Sequence, residues 1–281
     1  MGYRIGAMLD DDTIADLTPS VLPMGLTAQE ILRCYDLATD FVTPAREAVE
    51  SGALPRVELA DVHVQAPVPR PGKIICIGLN YLDHVQESGA EVPKAPLIFS
   101  KFGTCAIGSE QTIVLPRDSE QVDFEAELAV VIGRRAKHVS AADAMEYVFG
   151  YTNFNDVSAR DMQFADGQWQ RGKSCDTFAP FGEFVATKDE IEDPHNLRIQ
   201  FRLNGETMQD SRTDQLIFKI PELIEHISRS ITLEPGDIIA TGTPPGVGFA
   251  RTPQVFLKDG DVCEVEIEGL GVLINPVAND V

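Results

Sequence analysis

The stretch Val122-Asp123-Phe124-Glu125-Ala126-Glu127-Leu128-Ala129-Val130 decides how this chain folds. Side chains alternate between the two faces of a strand. Phe124, Ala126, Leu128, Val130 and Ile132 therefore share one face, and Asp123, Glu125 and Glu127 share the other, with neighbours about 6–7 Å apart. Past Glu127 the second face continues as Ala129 and Val131, so it passes into the interior. Carboxylates facing a partly buried space repel one another and lose hydration. A divalent cation removes that conflict. A solvated edge strand, charged to discourage pairing, accounts for the same pattern. No Lys or Arg lies between Gln121 and Ile132 to mix the signs, which favours the metal reading. Oxygen-only ligands specify Mg2+, Mn2+ or Ca2+ rather than zinc.

Outward from this strand, short apolar runs are broken by Gly and Pro. Residues 73–79, 95–100, 124–132, 197–203, 237–241 and 262–267 each read as strands. Asn204-Gly205 between two runs predicts a type I′ hairpin. Two helices interrupt, one capped by Ser140 and one starting at Pro221. Upstream, residues 3–9 read as a strand. Thr27 and Glu30 form a capping box for a helix carrying Ile31, Leu32 and Tyr35. A second short helix spans residues 44–51, stopped by Gly52. Pro67, Pro69 and Pro71 mark a stiff linker. The expectation is an α+β protein with a small N-terminal α/β domain over residues 1–68 and a β-rich domain over 69–281.

Composition sets the outer limits. With 281 residues, 43% apolar and 24% charged, the chain is globular rather than disordered. Its 44 acidic against 23 basic residues give a net charge of −21. That argues against nucleic acid or an anionic membrane as partner, because phosphate binding needs a basic face. No apolar run reaches the length of a membrane span, and the opening residues carry no apolar signal core. Five scattered cysteines without a CxxC point to neither a zinc site nor a disulfide framework, so a reducing cytoplasm is expected.

A third metal ligand must come from elsewhere, and Asn155-Asp156-Val157-Ser158-Ala159-Arg160-Asp161 offers Asp156. If this segment is helical, Asp156, Arg160 and Gln163 line one face. The plainer reading makes Asp156 an N-cap with Arg160 its surface partner. Gly167-Gln168-Trp169-Gln170-Arg171-Gly172-Lys173-Ser174 formally matches a phosphate loop. It follows a polar stretch, and Cys-Asp-Thr-Phe-Ala-Pro after it starts a helix badly, so the match is rejected. Lys173 survives as a cation in a structured loop, or as an ordinary surface lysine. In Gly78-Leu79-Asn80-Tyr81-Leu82-Asp83-His84-Val85-Gln86-Glu87-Ser88-Gly89, His84 and Glu87 would meet on a short helix or lid. A carboxylate that orients an imidazole makes it a better base, although an exposed His beside an exposed Glu is the commoner case. The strand 237–241 runs into a Gly/Pro loop that presents Thr241, Thr243 and backbone N–H groups, or is simply a rigid turn.

Taken in order, GLNYLDHVQES, FEAELAVVIG, NDVSARD, RGKSCDTFAPFG and EPGDIIATGTPPGVG resemble the fumarylacetoacetate hydrolase family over roughly residues 73–248. The resemblance implies a mixed β-roll catalytic domain, usually in a homodimer. It implies Mg2+ or a similar ion held by Glu125, Glu127 and Asp156. It also implies a His84–Glu87 pair on a lid, Lys173 as a catalytic lysine, and substrate contacts from Arg160, Gln163, Thr241 and Lys101. Two departures stand beside Lys173: Cys175, where the family commonly has a larger apolar residue, and Glu183, where proline is usual.

The chemistry expected is metal-dependent cleavage of a carbon–carbon bond in a 2,4-dioxo acid, the leaving fragment departing as an enolate. His84, oriented by Glu87, would deprotonate the attacking water. An oxaloacetate decarboxylase or a 2-oxo acid isomerase on the same site needs enolate formation alone. A non-catalytic acidic binding protein is the alternative from a different class. The substrate is expected to be a small 2-oxo acid.

Overall fold

The computed structural model of the chain describes residues 4–10, 12–18 and 42–280. In chain order its main elements are β1 (Gly6–Met8), β2 (Thr13–Asp16), α1 (Val42–Glu50), β3 (Arg56–Glu58), β4 (Ile74–Gly78), α2 (Leu82–Ser88), β5 (Leu97–Lys101), β6 (Ala106–Ile107) and β7 (Ile113–Leu115). Then come β8 (Val122–Asp123), β9 (Ala126–Ile132), β10 (Val148–Asn155), β11 (Ser158–Ala159), α3 (Arg160–Ala165), α4 (Gln170–Lys173), β12 (Ala179–Pro180) and β13 (Ala186–Thr187). The chain finishes with β14 (Arg198–Leu203), β15 (Glu206–Arg212), α5 (Ile220–Ser228), β16 (Ile238–Ala240), β17 (Val262–Ile267) and β18 (Val272–Asn279). This is a mixed α+β fold with few helices.

Two sheets carry the core. One has the order β13-β10-β9-β16-β4-β5, the other β15-β14-β17-β18-β7. The first is mixed: β16 pairs parallel with β4 and antiparallel with β9. Every residue of β9 is buried, including Glu127. A strand covered on both faces reads as a continuous apolar run, and Leu128 through Ile132 is such a run.

The stretch that decides the fold is not one strand. Val122–Asp123 pairs with β11, while Ala126–Ile132 belongs to the six-stranded sheet. Between them, backbone donors take side-chain acceptors in place of a ladder. Glu125 N–H donates to Asn155 Oδ1 at 3.0 Å, and Ala126 N–H to Gln209 Oε1 at 2.9 Å. The ladder is interrupted here, yet Asp123, Glu125 and Glu127 stay together: Arg160 bonds both Asp123 and Glu125, and Glu125 clusters with Glu127. On the other side the Phe124 ring stacks on Phe201 of β14, centroids 4.1 Å apart and planes 2° off parallel. It pins the break to the second sheet.

The other expected strands appear with small shifts of their ends. Asn204 and Gly205 both have positive φ, 54° and 79°, as the I′ hairpin between β14 and β15 requires. The first strand is shorter than expected, Gly6–Met8. The second N-terminal helix is present as α1, and the Thr27–Glu30 helix falls outside the described residues. β1, β2 and β3 form a three-stranded antiparallel sheet of their own. The helix at Pro221 is α5, burying Ile220, Leu223, Ile224 and Ile227 on one side. The helix expected at Ser140 is replaced by a turn and a single 3-10 segment, Ala144–Tyr147. There the Ser140 hydroxyl donates to the Asp143 carboxylate at 2.7 Å instead of capping a backbone N–H. Among the described residues no helix is long and apolar enough to cross a membrane.

Strand β10 is not expected from the sequence, because its Thr152, Asn153 and Asn155 look like loop residues. Several of their polar atoms are used internally: Thr152 Oγ1 donates to Phe184 O at 2.7 Å, Asn153 Nδ2 to Leu270 O at 3.0 Å, and Asn155 Oδ1 accepts Glu125 N–H at 3.0 Å. Gly150 is required there, since a Cβ would lie 2.0 Å from Ala186 O.

Phe201→Ala removes the ring under Phe124 and opens a cavity, a change worth about 3–5 kcal/mol. Urea denaturation should show a loss of that size. A loss under about 1 kcal/mol would mean that the stack does not hold the break.

Candidate active site

Glu125, Glu127 and Asp156 converge from two adjacent strands. Glu125 stands at the break before β9, Glu127 is the second residue of β9, and Asp156 follows β10, which pairs with β9 in antiparallel register. Asp156 N–H donates to Glu125 O at 2.9 Å, which locks the two backbones together. Each carboxylate offers one oxygen to a cluster lying within 4.8 Å, and all three are buried.

Asp156 is neither on a helix nor an N-cap, and Arg160 is not its partner. Residues 158–159 are extended, and α3 starts only at Arg160. Two lysines serve Asp156 instead. Lys101 Nζ, from the end of β5, bonds to Asp156 Oδ1 and to Val157 O. Lys173 Nζ, from the end of α4, donates to Asp156 Oδ2 at 3.0 Å and to Glu125 Oε2 at 2.8 Å. Lys173 also lies 4.9 Å from the centre of the Phe99 ring. It is fully buried and is no surface lysine. Arg160 takes the other side, its NH2 group reaching Glu125 Oε1 at 2.6 Å and Asp123 Oδ2 at 2.7 Å. Asp123, whose role the sequence leaves open, anchors that arginine. It also accepts Gly248 N–H at 2.7 Å and Phe249 N–H at 3.1 Å.

The electrostatics follow from these contacts. Burial alone would raise the Glu125 carboxyl, but Lys173 and Arg160 overcome it and hold it down at about 2. Glu127 has the opposite balance. Burial raises it first, then the charges of Asp156 and Glu125, and the Gly242 N–H that bonds it at 2.8 Å does not compensate. Burial would lower Lys173, but Asp156 and Glu125 keep it raised and charged.

The remaining expected residues are held by the following contacts. Gln163 Oε1 accepts from Arg160 at 3.1 Å. The Thr241 hydroxyl donates to Leu128 O at 2.9 Å, so it braces the loop, and the donor that this loop gives the cluster is Gly242 N–H. In the same loop Gly246 has φ +103°, and a Cβ there would meet Met208 O at 2.1 Å. His84 and Glu87 do meet on α2: Nδ1 lies 3.1 Å from Glu87 Oε2. The helix is latched down, Glu87 accepting Gly246 N–H at 3.0 Å and Asp83 accepting the Ser211 hydroxyl at 2.6 Å. The segment that matches a phosphate loop is not built as one: α4 is four residues long and follows a helix rather than a buried strand. Of the two departures, the Cys175 thiol lies 4.0 Å from Met162 Sδ, and burial raises the Glu183 carboxyl.

Residues 73–278 match the family model described as fumarylacetoacetate (FAA) hydrolase, C-terminal. The chain belongs to the fumarylacetoacetate hydrolase family. It is 53% identical over 234 residues to oxaloacetate tautomerase Fahd2a, mitochondrial, of Rattus norvegicus, covering 83% of this chain and 74% of that protein. The 2-hydroxyhepta-2,4-diene-1,7-dioate isomerase from Mycobacterium marinum has a similar structure, with TM-score 0.71, 42% identity and coverage of 80% of this chain and 81% of that one. Fumarylacetoacetate hydrolase from Exiguobacterium antarcticum has TM-score 0.85 and 36% identity, covering 99% and 96%.

The donor set fits the divalent ion that family enzymes generally use. It offers only carboxylate oxygens, close together and buried, and one of them is pushed towards its neutral form by the other two. Burial and the two neighbouring carboxylates push Glu127 towards its protonated form, and a proton on it competes with an ion for the same oxygens. Metal affinity should therefore fall as pH falls, with about one proton released per ion bound. Calorimetry of Mg2+ or Mn2+ binding in two buffers of different ionisation enthalpy reads that proton. Identical heats in both buffers would show that Glu127 is ionised beforehand.

Proposed function

We propose that this chain enolises a small 2-oxo acid, with keto–enol tautomerisation of oxaloacetate as its first reaction. The observation that carries the reading is the set of charges in direct contact. With all ionised, Asp123, Glu125, Glu127 and Asp156 face Lys101, Arg160 and Lys173, one negative charge in excess. Glu125, Glu127 and Asp156 would hold a divalent ion, which would leave one positive charge in excess and would supply the Lewis acidity that lowers the cost of an enolate. The site then attracts a dianion such as a 2-oxo dicarboxylate. The 53% identity to a protein named as an oxaloacetate tautomerase supports the same reading.

The chain's own groups divide the work. Lys173, charged and touching two of the three metal-binding carboxylates, places a donor where negative charge develops on the keto oxygen. Arg160 and Lys101 hold the carboxylates in place and offset their charge. The Glu87 contact selects the neutral His84 tautomer with its proton on Nδ1, which leaves the Nε2 lone pair as base. In tautomerisation that base takes a proton from C3, and a proton is delivered to the oxygen, so nothing leaves. Mg2+, Mn2+ and Ca2+ all suit the ligand set.

Hydrolysis of the carbon–carbon bond in an acylpyruvate is the second reading. The His84–Glu87 pair favours it, because the same Nε2 can deprotonate water, and similarity of fold does not fix the reaction. A decarboxylase shares the enolate with both. A homodimer and a reducing compartment belong to the reading as expectations. The rat relative is mitochondrial by name, and the four described cysteines are free thiols.

Following enol absorbance with oxaloacetate and a set of acylpyruvates, with Mg2+ and with chelator, tests both readings. Metal-dependent decay of enol-oxaloacetate without pyruvate release supports tautomerisation; pyruvate plus a second acid supports hydrolysis. His84→Ala should lower kcat by about 10²–10⁴-fold at unchanged metal affinity. Equal loss of kcat and metal affinity would remove His84 from the base role.

A further inference from the structure

Ala126 stands between two of the clustered carboxylates, Glu125 and Glu127, at the point where β9 begins. Both of its backbone groups are held by side chains. Its N–H donates to Gln209 Oε1 at 2.9 Å, and its carbonyl accepts the Thr243 hydroxyl at 2.9 Å. The two side chains are themselves joined, Gln209 Nε2 donating to Thr243 Oγ1 at 2.9 Å. These three bonds close a ring on the Ala126 backbone. A further bond from Gln209 Nε2 to Pro244 O at 2.7 Å ties the ring to the Gly/Pro loop. Both side chains are buried, so water does not freely replace a bond that is lost.

Gln209 reaches this place through an irregularity in β15. Phe201 of β14 pairs with Gln209 and Arg202 with Thr207, which leaves Met208 as an extra residue. Such a bulge re-aims the side chains beside it. Met208 and Gln209 are accordingly buried in succession, where a regular strand alternates. Phe201, the cross-strand partner of Gln209, is also the ring on which Phe124 stacks. One strand pair of the second sheet therefore grips the chain on both sides of Glu125, at Phe124 through the stack and at Ala126 through the amide.

Partners behind metal ligands orient them and tune the site. Mg2+ demands near-ideal octahedral geometry at about 2.0–2.1 Å, whereas Ca2+ accepts flexible geometry at about 2.3–2.6 Å. A rigid spacing of two ligands suits the first ion, and a loose spacing suits the second. We propose that Gln209 is a positioning residue for ion binding: its ring with Thr243 fixes the backbone between Glu125 and Glu127, and the fixed spacing makes the site select Mg2+ over Ca2+. This goes beyond the ligand set, which suits either ion, and it rests on the reading of the carboxylate cluster as a metal site. Gln209 acts through the backbone and not as a ligand.

The test is calorimetric titration of the full chain with Mg2+ and, separately, with Ca2+, for the wild type, Gln209→Met, Thr243→Val and Thr243→Ser. Methionine has the length of glutamine without its hydrogen bonds. Valine has the shape of threonine without its hydroxyl, and serine keeps the hydroxyl. The wild type should bind Mg2+ more tightly than Ca2+. Gln209→Met and Thr243→Val should each lose about 10–100-fold in Mg2+ affinity and clearly less in Ca2+ affinity, so the preference shrinks. Thr243→Ser should keep it. The double variant Gln209→Met/Thr243→Val should show no smaller preference than either single one, because the same ring is broken once. Should Gln209→Met fail to fold, Thr243→Val breaks the same ring and reads the same ratio. An equal loss of both affinities is what a merely structural role gives, and it overturns the proposal. A wild type without preference for Mg2+, or a Thr243→Ser variant that loses the preference, overturns it as well. If the wild type binds neither ion, the metal reading itself fails and takes the proposal with it.

Discussion

Repulsion among buried carboxylates organises this protein. Glu125, Glu127 and Asp156 lie within 4.8 Å of one another in the interior, and Asp123 stands two residues before the first of them. Left alone, such a group is too costly to bury. Lys101, Lys173 and Arg160 come from three separate segments, the end of β5, the end of α4 and the start of α3, to offset it. Each of these segments is tied to its place by the ion pair it makes. Loss of any one cation would leave a buried charge without its partner, which is far more damaging than loss of a surface pair. The cross-bracing leaves Glu127 the least compensated of the three, bonded among the described residues to one backbone N–H.

Much of this arrangement is legible in the amino-acid sequence. The apolar run from Leu128 to Ile132 specifies a strand buried on both faces, and Asn204-Gly205 specifies a hairpin, because both signals are local. The carboxylates are legible as a group because charge without countercharge is itself a signal in sequence. The break at Phe124 is not, since it depends on Gln209, 83 residues away, replacing a ladder bond at Ala126. Nor are the partners of Asp156. Two lysines at 101 and 173 meet it only through the crossing of sheet and helix, while Arg160, nearer in sequence, points to Glu125. β10 is hidden because Thr152, Asn153 and Asn155 are polar, and their use as internal hydrogen-bonding groups shows only in three dimensions.

Three relatives of one fold carry three reaction names, tautomerase, isomerase and hydrolase. The fold therefore does not fix the reaction, and on the proposed reading the charge balance around Glu125, Glu127 and Asp156 suits an enolate without specifying what happens next. On the proposed reading, the later step depends on what His84 Nε2 meets when α2 is latched by Glu87 and Asp83: a C3 proton or a water.

Enolisation itself is therefore the central claim, and deuterium exchange into the methyl group of pyruvate in D2O, followed by proton NMR, measures it without any bond being cleaved between carbons. The account predicts exchange that needs Mg2+ or Mn2+ and is lost in Glu127→Gln and Asp156→Asn. Exchange no faster than in buffer, from a protein shown to bind both metal and pyruvate, would contradict it.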